Sequence, residues 1–190
     1  MAASPEAKYT VETVLWINQH TPKLMTFAIT RPDSYRFAAG QFSRLGFHEG
    51  EGFIWRAFSV VSAEYTETLE YFAVLIEDGP MSNKLATMQT GDKVLLDKTA
   101  TGFLLPERFP DGKDLIMLCT GSGIAPFLSV LQQPEIWQRF ERLVLVHSVS
   151  YANELIFNQQ IADLKEHPLI EEYVDKLTFI PVTTREQTAG

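Results

Sequence analysis

Three short segments contain residue types that suit the binding of phosphate groups and a flat aromatic ring. The first is Arg56-Ala57-Phe58-Ser59. A guanidinium can pair with two phosphate oxygens, a phenyl ring offers a stacking surface, and a hydroxyl can hydrogen-bond to a ring nitrogen. Taken alone, the segment is better explained as an ordinary strand with one solvated arginine.

The second segment, Gly79-Pro80-Met81-Ser82, precedes a short apolar stretch that ends at Gly91. Proline suits the first turn of a helix and glycine its end, so the pattern predicts a helix over Met81–Gln89. Open backbone N–H groups at the start of this helix, together with the Ser82 hydroxyl, would form an anion site. A plain capped helix is the alternative.

The third segment runs from Thr120 to Pro126 and lies between a predicted buried strand and a predicted helix. Open α/β sheets bind ligands beyond the carboxyl ends of their strands, and glycines there let phosphate approach the backbone. Pro126 stands where the full dinucleotide-binding pattern has its third glycine, so the motif alone is weak evidence.

The cysteine and histidine residues argue against disulfide, metal and nucleophilic chemistry. Cys119 is the single cysteine, which excludes an internal disulfide and a four-thiolate iron–sulfur cluster, and its apolar surroundings indicate a small core residue. No two histidines have metal-ligand spacing, so no metal site is expected. His147 alone ends a predicted parallel strand, and it lies in a different predicted domain from Ser59, which argues against a Ser/His/Asp site.

Composition narrows the class of protein further. Of 190 residues, 45% are apolar, which is enough for a packed core. A formal charge of −8 argues against nucleic acid as the main partner. No apolar stretch reaches the ~20 residues that span a bilayer, and Met1 to Lys8 lacks a secretory signal. We therefore expect a monomeric cytoplasmic protein.

The first half of the chain consists of short β-branched and aromatic runs separated by turn residues. Six strands of this kind, partly alternating in polarity, predict a small closed antiparallel barrel. They are expected near Tyr9–Trp16, Lys23–Thr30, Gln41–Leu45, Ile54–Val61, Leu69–Ile76 and Lys93–Leu96.

The second half alternates buried strands with helices, which predicts a doubly wound parallel α/β sheet. The apolar run Asp114–Cys119 is typical of a parallel strand covered on both faces. Further strands are expected at Leu143–His147 and Leu177–Ile180, and helices at Pro126–Gln133 and Asn153–Glu166. We place the boundary between Leu105 and Lys113, which gives domains 1–105 and 106–190.

The three segments, in this order, resemble those of the ferredoxin–NADP⁺ reductase family, and of its bacterial ferredoxin/flavodoxin type most closely. The resemblance extends from about Tyr9 to Gly190 and implies FAD in the barrel domain and NADP(H) in the α/β domain. It implies that Arg56 contacts the flavin pyrophosphate, that Phe58 stacks on the isoalloxazine in place of the usual tyrosine, and that Ser59 hydrogen-bonds to flavin N5 as the catalytic residue. Other residues implied to bind the flavin are Ala57, Phe72, Ala73, Val74, Gly79, Met81 and Ser82.

In the second domain the resemblance implies a nicotinamide and pyrophosphate loop at Thr120, Gly121, Ser122, Gly123 and Ile124. Further residues implied to contact the nucleotide are Ser148, Ser150 and Arg185. Arg185 matches one of the two arginines that hold the 2′-phosphate in this family, and Ser150 stands where the other usually lies. Since a charge-assisted contact contributes about 1–3 kcal/mol, the NADPH preference should be weaker by one to two decades.

The implied activity is hydride transfer between NADPH and flavin N5, with one-electron exchange with ferredoxin or flavodoxin. Lys84 and Arg44 are candidates for docking the acidic carrier. The alternatives are a flavin reductase or an oxygenase reductase component, and a non-enzymatic flavin- or ligand-binding module. Family members continue past the position of Gly190, so the resemblance also implies an incomplete second domain.

Overall fold

The computed structural model describes residues 8–186 and contains two β-sheets. The first sheet is antiparallel throughout and has the order β4-β3-β6-β1-β2-β5. Its strands are β1 (Tyr9–Thr21), β2 (Leu24–Thr30), β3 (Phe42–Glu49), β4 (Gly52–Ser59), β5 (Thr68–Val74) and β6 (Lys93–Asp97). All six strands predicted from the sequence are present.

The six-stranded sheet is open, so the prediction of a closed barrel is wrong. The end strands β4 and β5 share no ladder: a single bridge, Val60 to Tyr71, lies between them, and the Val61 N–H donates to the Glu70 carbonyl. The predicted fourth strand was expected to continue to Val61, but it ends at Ser59. Val60 and Val61 contact β5 just beyond the end of β4, but these contacts do not extend into the continuous ladder that closure requires.

Helix α1 (Pro80–Thr87) connects the edge of this sheet to β6 and confirms the predicted short helix. Pro80 occupies its first turn, and Met81 and Leu85 are buried against the sheet core. These two residues are one turn apart on the same face, which anchors the N-terminus of the helix beside β4 and β5.

The second sheet is parallel, with the order β7-β8-β9: β7 (Asp114–Thr120), β8 (Arg142–Val149) and β9 (Leu177–Thr183). Its helices are α2 (Ala125–Leu131), α3 (Pro134–Arg139) and α4 (Asn158–Ala162). Helix α3 was not predicted, because Pro134 was interpreted only as the end of the preceding helix, whereas it lies in the first turn of a new one. The predicted helix over 153–166 is instead α4 flanked by two 3₁₀ turns, Ala152–Glu154 and Asp163–Glu166.

Within the described residues, all three helices of this half pack on the same face of the parallel sheet. Leu143 and Leu145 on that face are fully buried, whereas Ile116 and Leu118 on the opposite face are 60% and 68% exposed. Among residues 8–186, helices therefore cover only one face of the parallel sheet and of β7, and the second helical layer of a doubly wound sheet stays a prediction. A continuous apolar run shows that a strand can be covered on both sides, but it does not show that covering elements are present.

The two sheets share one packed interface. The Ser129 hydroxyl donates to the Ser62 carbonyl at 2.8 Å, and the Gln132 amide donates to the Val61 carbonyl at the same distance. Phe72 of β5 packs edge-on against Phe157 with ring centroids 5.0 Å apart. These contacts fix the carboxyl end of the parallel sheet beside β5.

No helix among residues 8–186 is both long enough and apolar enough to span a bilayer.

Candidate functional site

A first cavity of about 370 Å³ lies between the two sheets, where β4, β5, α1 and the start of α2 meet. Its volume is within the range of small-molecule and cofactor sites. The predicted residues that line it are Arg56, Ala57, Phe58, Ser59, Phe72, Ala73, Val74, Gly79, Met81, Ser82 and Ser122. The structure therefore brings the three sequence segments together in one place.

Arg56 and Phe58 alternate along β4 and both reach this cavity. Arg56 is exposed, donates to the carbonyl of Trp55 at 2.8 Å, and forms no ion pair with any residue between 8 and 186. Phe58 is held edge-on by Phe27 and Tyr71, with centroids 6.3 and 6.4 Å apart. A cation available for an anion thus lies beside a ring whose orientation is fixed by packing.

The turn before α1 forms the opposite wall of the first cavity. The Ile76 N–H donates to Ser82 Oγ at 2.8 Å, which ties the turn to the helix. A Cβ at Gly79 would lie 3.1 Å from the Ile76 carbonyl oxygen and 3.2 Å from Ser82 Oγ, so glycine allows this tight closure. Helix geometry leaves the N–H groups of Met81 and Ser82 without partners in the helix, and a negative charge would be favoured there.

Residues Thr120–Ile124, here called the glycine loop, connect β7 to α2 through a 3₁₀ turn. Gly121 has φ +49, a left-handed conformation that favours glycine, and it turns the chain sharply after the strand. The buried His147 imidazole contacts the Gly121 carbonyl oxygen through Nε2 at 3.0 Å. Ser122 of this loop lines the first cavity, and Gly121 lines a second cavity.

The second cavity, of about 330 Å³, lies at the carboxyl end of the parallel sheet. Predicted residues that line it are Phe72, Val74, Thr120, Gly121, Ser148 and Ser150. Phe72 and Val74 line both cavities, so the two spaces are adjacent across one strand.

Arg185 does not line either cavity, but its position is tied to the second one. Its backbone N–H donates to the Ser150 carbonyl at 3.0 Å, and Glu154 Oε2 accepts from the N–H groups of Ser150 and Tyr151 at 2.7 and 3.0 Å. The Arg185 backbone is thus held at the rim of the second cavity, and its side chain is exposed. The predicted residues Gly123 and Ile124 also line neither cavity, and Ile124 is fully buried in the core.

Sequence reasoning missed several lining residues. They are Ile76, Pro80, Leu85 and Ala125 in the first cavity and Leu24, Val149, Glu154 and Thr184 in the second. Glu154 carried a usable signal, since a glutamate at the third position after a chain reversal commonly accepts from the N–H groups at that turn. Leu24 carried no signal, because β2 reaches the cavity only through its pairing with β5.

Two groups next to the glycine loop, the half-buried Cys119 thiol and the buried His147 imidazole, have pKa values shifted toward their neutral forms. Burial raises the pKa of the Cys119 thiol to about 11, so the thiol remains protonated and unreactive. Burial also lowers the pKa of His147, partly offset by its hydrogen bond with Gly121. Both side chains therefore act as neutral packing and hydrogen-bonding groups, as predicted for Cys119.

Known proteins provide an independent comparison. Residues 117–189 match the model of the family described as "Oxidoreductase NAD-binding domain". The chain is 38% identical over 178 residues to the ferredoxin–NADP reductase of Azotobacter vinelandii, covering 93% of this chain and 69% of that protein. It is also 38% identical over 158 residues to the flavodoxin/ferredoxin–NADP reductase of Escherichia coli, covering 81% of this chain and 60% of that protein.

A solved structure agrees with these relatives. The ferredoxin–NADP⁺ reductase of Neisseria gonorrhoeae, described with bound FAD and NADP, superposes with a TM-score of 0.89 at 68% sequence identity. The match covers 97% of this chain and 72% of that one, and the chain spans about two thirds of the length of the relatives above. The sequence identity and the shared fold support the same family as the order of the three segments does. The chain belongs to the ferredoxin–NADP reductase family.

Proposed function

We propose that the chain is a FAD-dependent ferredoxin/flavodoxin–NADP(H) oxidoreductase. The first cavity would hold the flavin and the second the nicotinamide nucleotide. The observation that carries this assignment is the contact between the two spaces, since Phe72 and Val74 line both and the glycine loop borders both. Hydride transfer requires the donor and acceptor rings to approach each other closely, and the adjacency of the two cavities supports this assignment.

The residues of the first cavity suit a flavin dinucleotide. Arg56, which forms no ion pair within residues 8–186, offers a guanidinium for the pyrophosphate, and the open N–H groups of Met81 and Ser82 offer a second anion contact. Phe58 presents a fixed ring for stacking on the isoalloxazine, and Ser59 a hydroxyl for its N5 edge. When bound, flavin supplies the conversion between two-electron and one-electron transfer.

In the second cavity the residues position the nicotinamide nucleotide. Thr120, Gly121 and Ser148 lie at the carboxyl ends of β7 and β8, where the backbone can approach a pyrophosphate. Arg185 at the rim would contact the 2′-phosphate of NADPH, with Ser150 beside it. Gly123 and Ile124 would anchor the end of the glycine loop to the core rather than touch the nucleotide.

The electron carrier would be an acidic ferredoxin or flavodoxin. Of the two docking candidates, Arg44 already pairs with Asp97 at 3.6 Å and stacks over Trp55 at 5.5 Å, which reduces its availability. Lys84 lies in the last turn of α1, next to the first cavity, and has no ion pair within residues 8–186. We assign the stronger docking contribution to Lys84.

The test is a flavin spectrum of the purified chain followed by anaerobic titration with NADPH and, separately, NADH. We expect bound FAD whose yellow absorbance bleaches with NADPH, and then faster electron transfer to ferredoxin or flavodoxin than to free flavin. Faster reduction of free flavin than of either carrier would instead indicate a flavin reductase or an oxygenase reductase component. Absence of FAD binding would contradict the proposal and favour a non-enzymatic module.

Two organisational features belong to the same proposal. We divide the chain into a flavin domain, 1–105, and a nucleotide domain, 106–190, on the basis of the two sheets, which end and begin at Asp97 and Asp114. We also keep a monomeric state and a cytoplasmic location as proposals, which gel filtration and cell fractionation test.

A further inference from the structure

Among residues 8–186, His147 is the one histidine that is fully buried, and it lies close to both cavities. It is 1% exposed, on the helix-covered face of β8, where the neighbouring side chains Leu145 and Val149 are aliphatic. Cys119 is its partner on β7, so the imidazole lies directly beneath the point where β7 ends and the glycine loop begins. His147 therefore lies among core residues of the parallel sheet and is also adjacent to the glycine loop between the two cavities.

The imidazole makes one hydrogen bond. Its Nε2 lies 3.0 Å from the Gly121 carbonyl oxygen, and because a carbonyl only accepts, Nε2 must carry the hydrogen. Nδ1 is then an acceptor, and it is buried without a partner in the part of the chain that the structure describes. Among residues 8–186, His147 is also the one side chain that hydrogen-bonds to the glycine loop.

These two facts argue against a purely structural role. A buried nitrogen without a partner destabilises the folded state, and so does the desolvation of the ring. An aliphatic side chain at 147 would avoid both costs and would match Leu145 on the same face. Within residues 8–186, the hydrogen bond that the imidazole does make is to Gly121, the residue whose left-handed conformation sets the direction of the loop.

We propose that His147 is a positioning residue that holds the Gly121 carbonyl, and with it the glycine loop, in the orientation that admits the nicotinamide nucleotide. The imidazole lies below the loop and lines neither cavity, so it acts through the backbone and not on the ligand. The inference rests on the proposed function and deepens it. It assigns the fixed orientation of the glycine loop, which borders both cavities, to one side chain in the core.

Two substitutions separate this role from ordinary packing. His147→Leu removes the donor and the unpaired nitrogen together, so we expect an unchanged or higher melting temperature but a looser loop. His147→Gln places an amide N–H near the position of Nε2 and should restore the contact. Leu145→Val is the matched control, since it alters packing on the same strand face without touching the loop.

The first readout is independent of activity. Amide hydrogen exchange at Ile124 and Ala125, whose N–H groups depend on the 3₁₀ turn that begins at Gly121, should accelerate about three- to tenfold in His147→Leu. Exchange should stay near the wild-type rate in His147→Gln and Leu145→Val. Unchanged exchange in His147→Leu overturns the proposal, whether or not the wild-type chain reacts with NADPH.

The second readout is anaerobic flavin bleaching by NADPH, with its apparent KM and limiting rate. His147→Leu should raise the KM or lower the rate by about three- to tenfold, as expected for one lost hydrogen bond, and His147→Gln should recover most of it. Wild-type bleaching that His147→Leu reproduces in full overturns the functional part of the inference. No bleaching in the wild type overturns the proposed function instead, and the exchange experiment still decides the positioning role.

Discussion

The first cavity is lined mostly by strand residues and a helix start, whereas the second is lined mostly by residues at or just beyond strand ends. In the first, Phe58 is fixed by the rings of Phe27 and Tyr71. In the second, the backbone of Ser150 is held on both sides: its N–H donates to Glu154 Oε2, and its carbonyl accepts from the Arg185 N–H. A rigid aromatic wall suits a cofactor that stays bound, and a rim of backbone contacts suits a nucleotide that must enter and leave.

The largest effect should come from the residue that the two cavities share. Phe72 is 5% exposed, lines both, and packs against Phe157. Phe72→Ala should lower stability by about 3–5 kcal/mol and weaken the binding of FAD and nucleotide together. Thermal unfolding with and without FAD measures both effects.

Phe103→Ala is the control for this substitution, because Phe103 is 74% exposed and its ring contacts Arg108. It should change stability by about 0.5 kcal/mol or less. If Phe72→Ala were equally mild, the two cavities would not depend on a common wall.

A second substitution tests the first cavity alone. Arg56→Ala removes the unpaired guanidinium, and since hydrogen bonds to charged groups contribute about 1.5–3 kcal/mol, FAD affinity should fall by roughly 10- to 100-fold. Titration of the apoprotein, followed by flavin fluorescence, gives the Kd. Arg44→Ala is the control, because Arg44 pairs with Asp97 away from the cavity. A similar loss in both variants would show that general charge, not local contact, governs FAD binding.

A third substitution acts on the rim of the second cavity. Ser150→Arg adds a cation beside Arg185, so the preference for NADPH over NADH should rise about tenfold or more. The ratio of kcat/KM for the two nucleotides is the measurement. Tyr151→Arg carries the same charge on an adjacent exposed residue that lines neither cavity, and it should leave the ratio close to that of the wild type. An equal gain in both variants would contradict a specific contact at position 150.

The difference between the cavities also explains what sequence alone could predict. Each of the three segments is contiguous and contains its own chemistry, so its residues could be proposed before the fold was known, whereas their convergence on one cavity is a finding of the structure. Other lining residues are brought to the cavities by strand pairing. Leu24, for example, reaches the second cavity because β2 pairs with β5. The local sequence around Leu24 does not indicate which strand will pair with β2.

The errors in the predicted fold have a related cause. Barrel closure depends on whether β4 and β5 meet, and the apolar residues Val60 and Val61 favour a strand even where the ladder has ended. Likewise, the apolar run of β7 does not reveal that Ile116 and Leu118 face away from the helices. Local sequence favours a strand or a helix. Whether a sheet closes into a barrel, and whether helices cover both faces of a strand, depends on how the whole chain packs.

The smallest effect concerns the thiol under the glycine loop. Since burial raises the pKa of Cys119 to about 11, the reactive thiolate is scarce at pH 8 in the folded chain, and unfolding should restore ordinary reactivity. Labelling with an aromatic disulfide reagent should therefore be slow in buffer and fast in urea. His147→Leu offers a sharper test, because a loosened glycine loop would expose the sulfur and accelerate labelling of the folded protein. Rapid labelling of the wild type would show instead that the wall beneath the second cavity is as mobile as its rim.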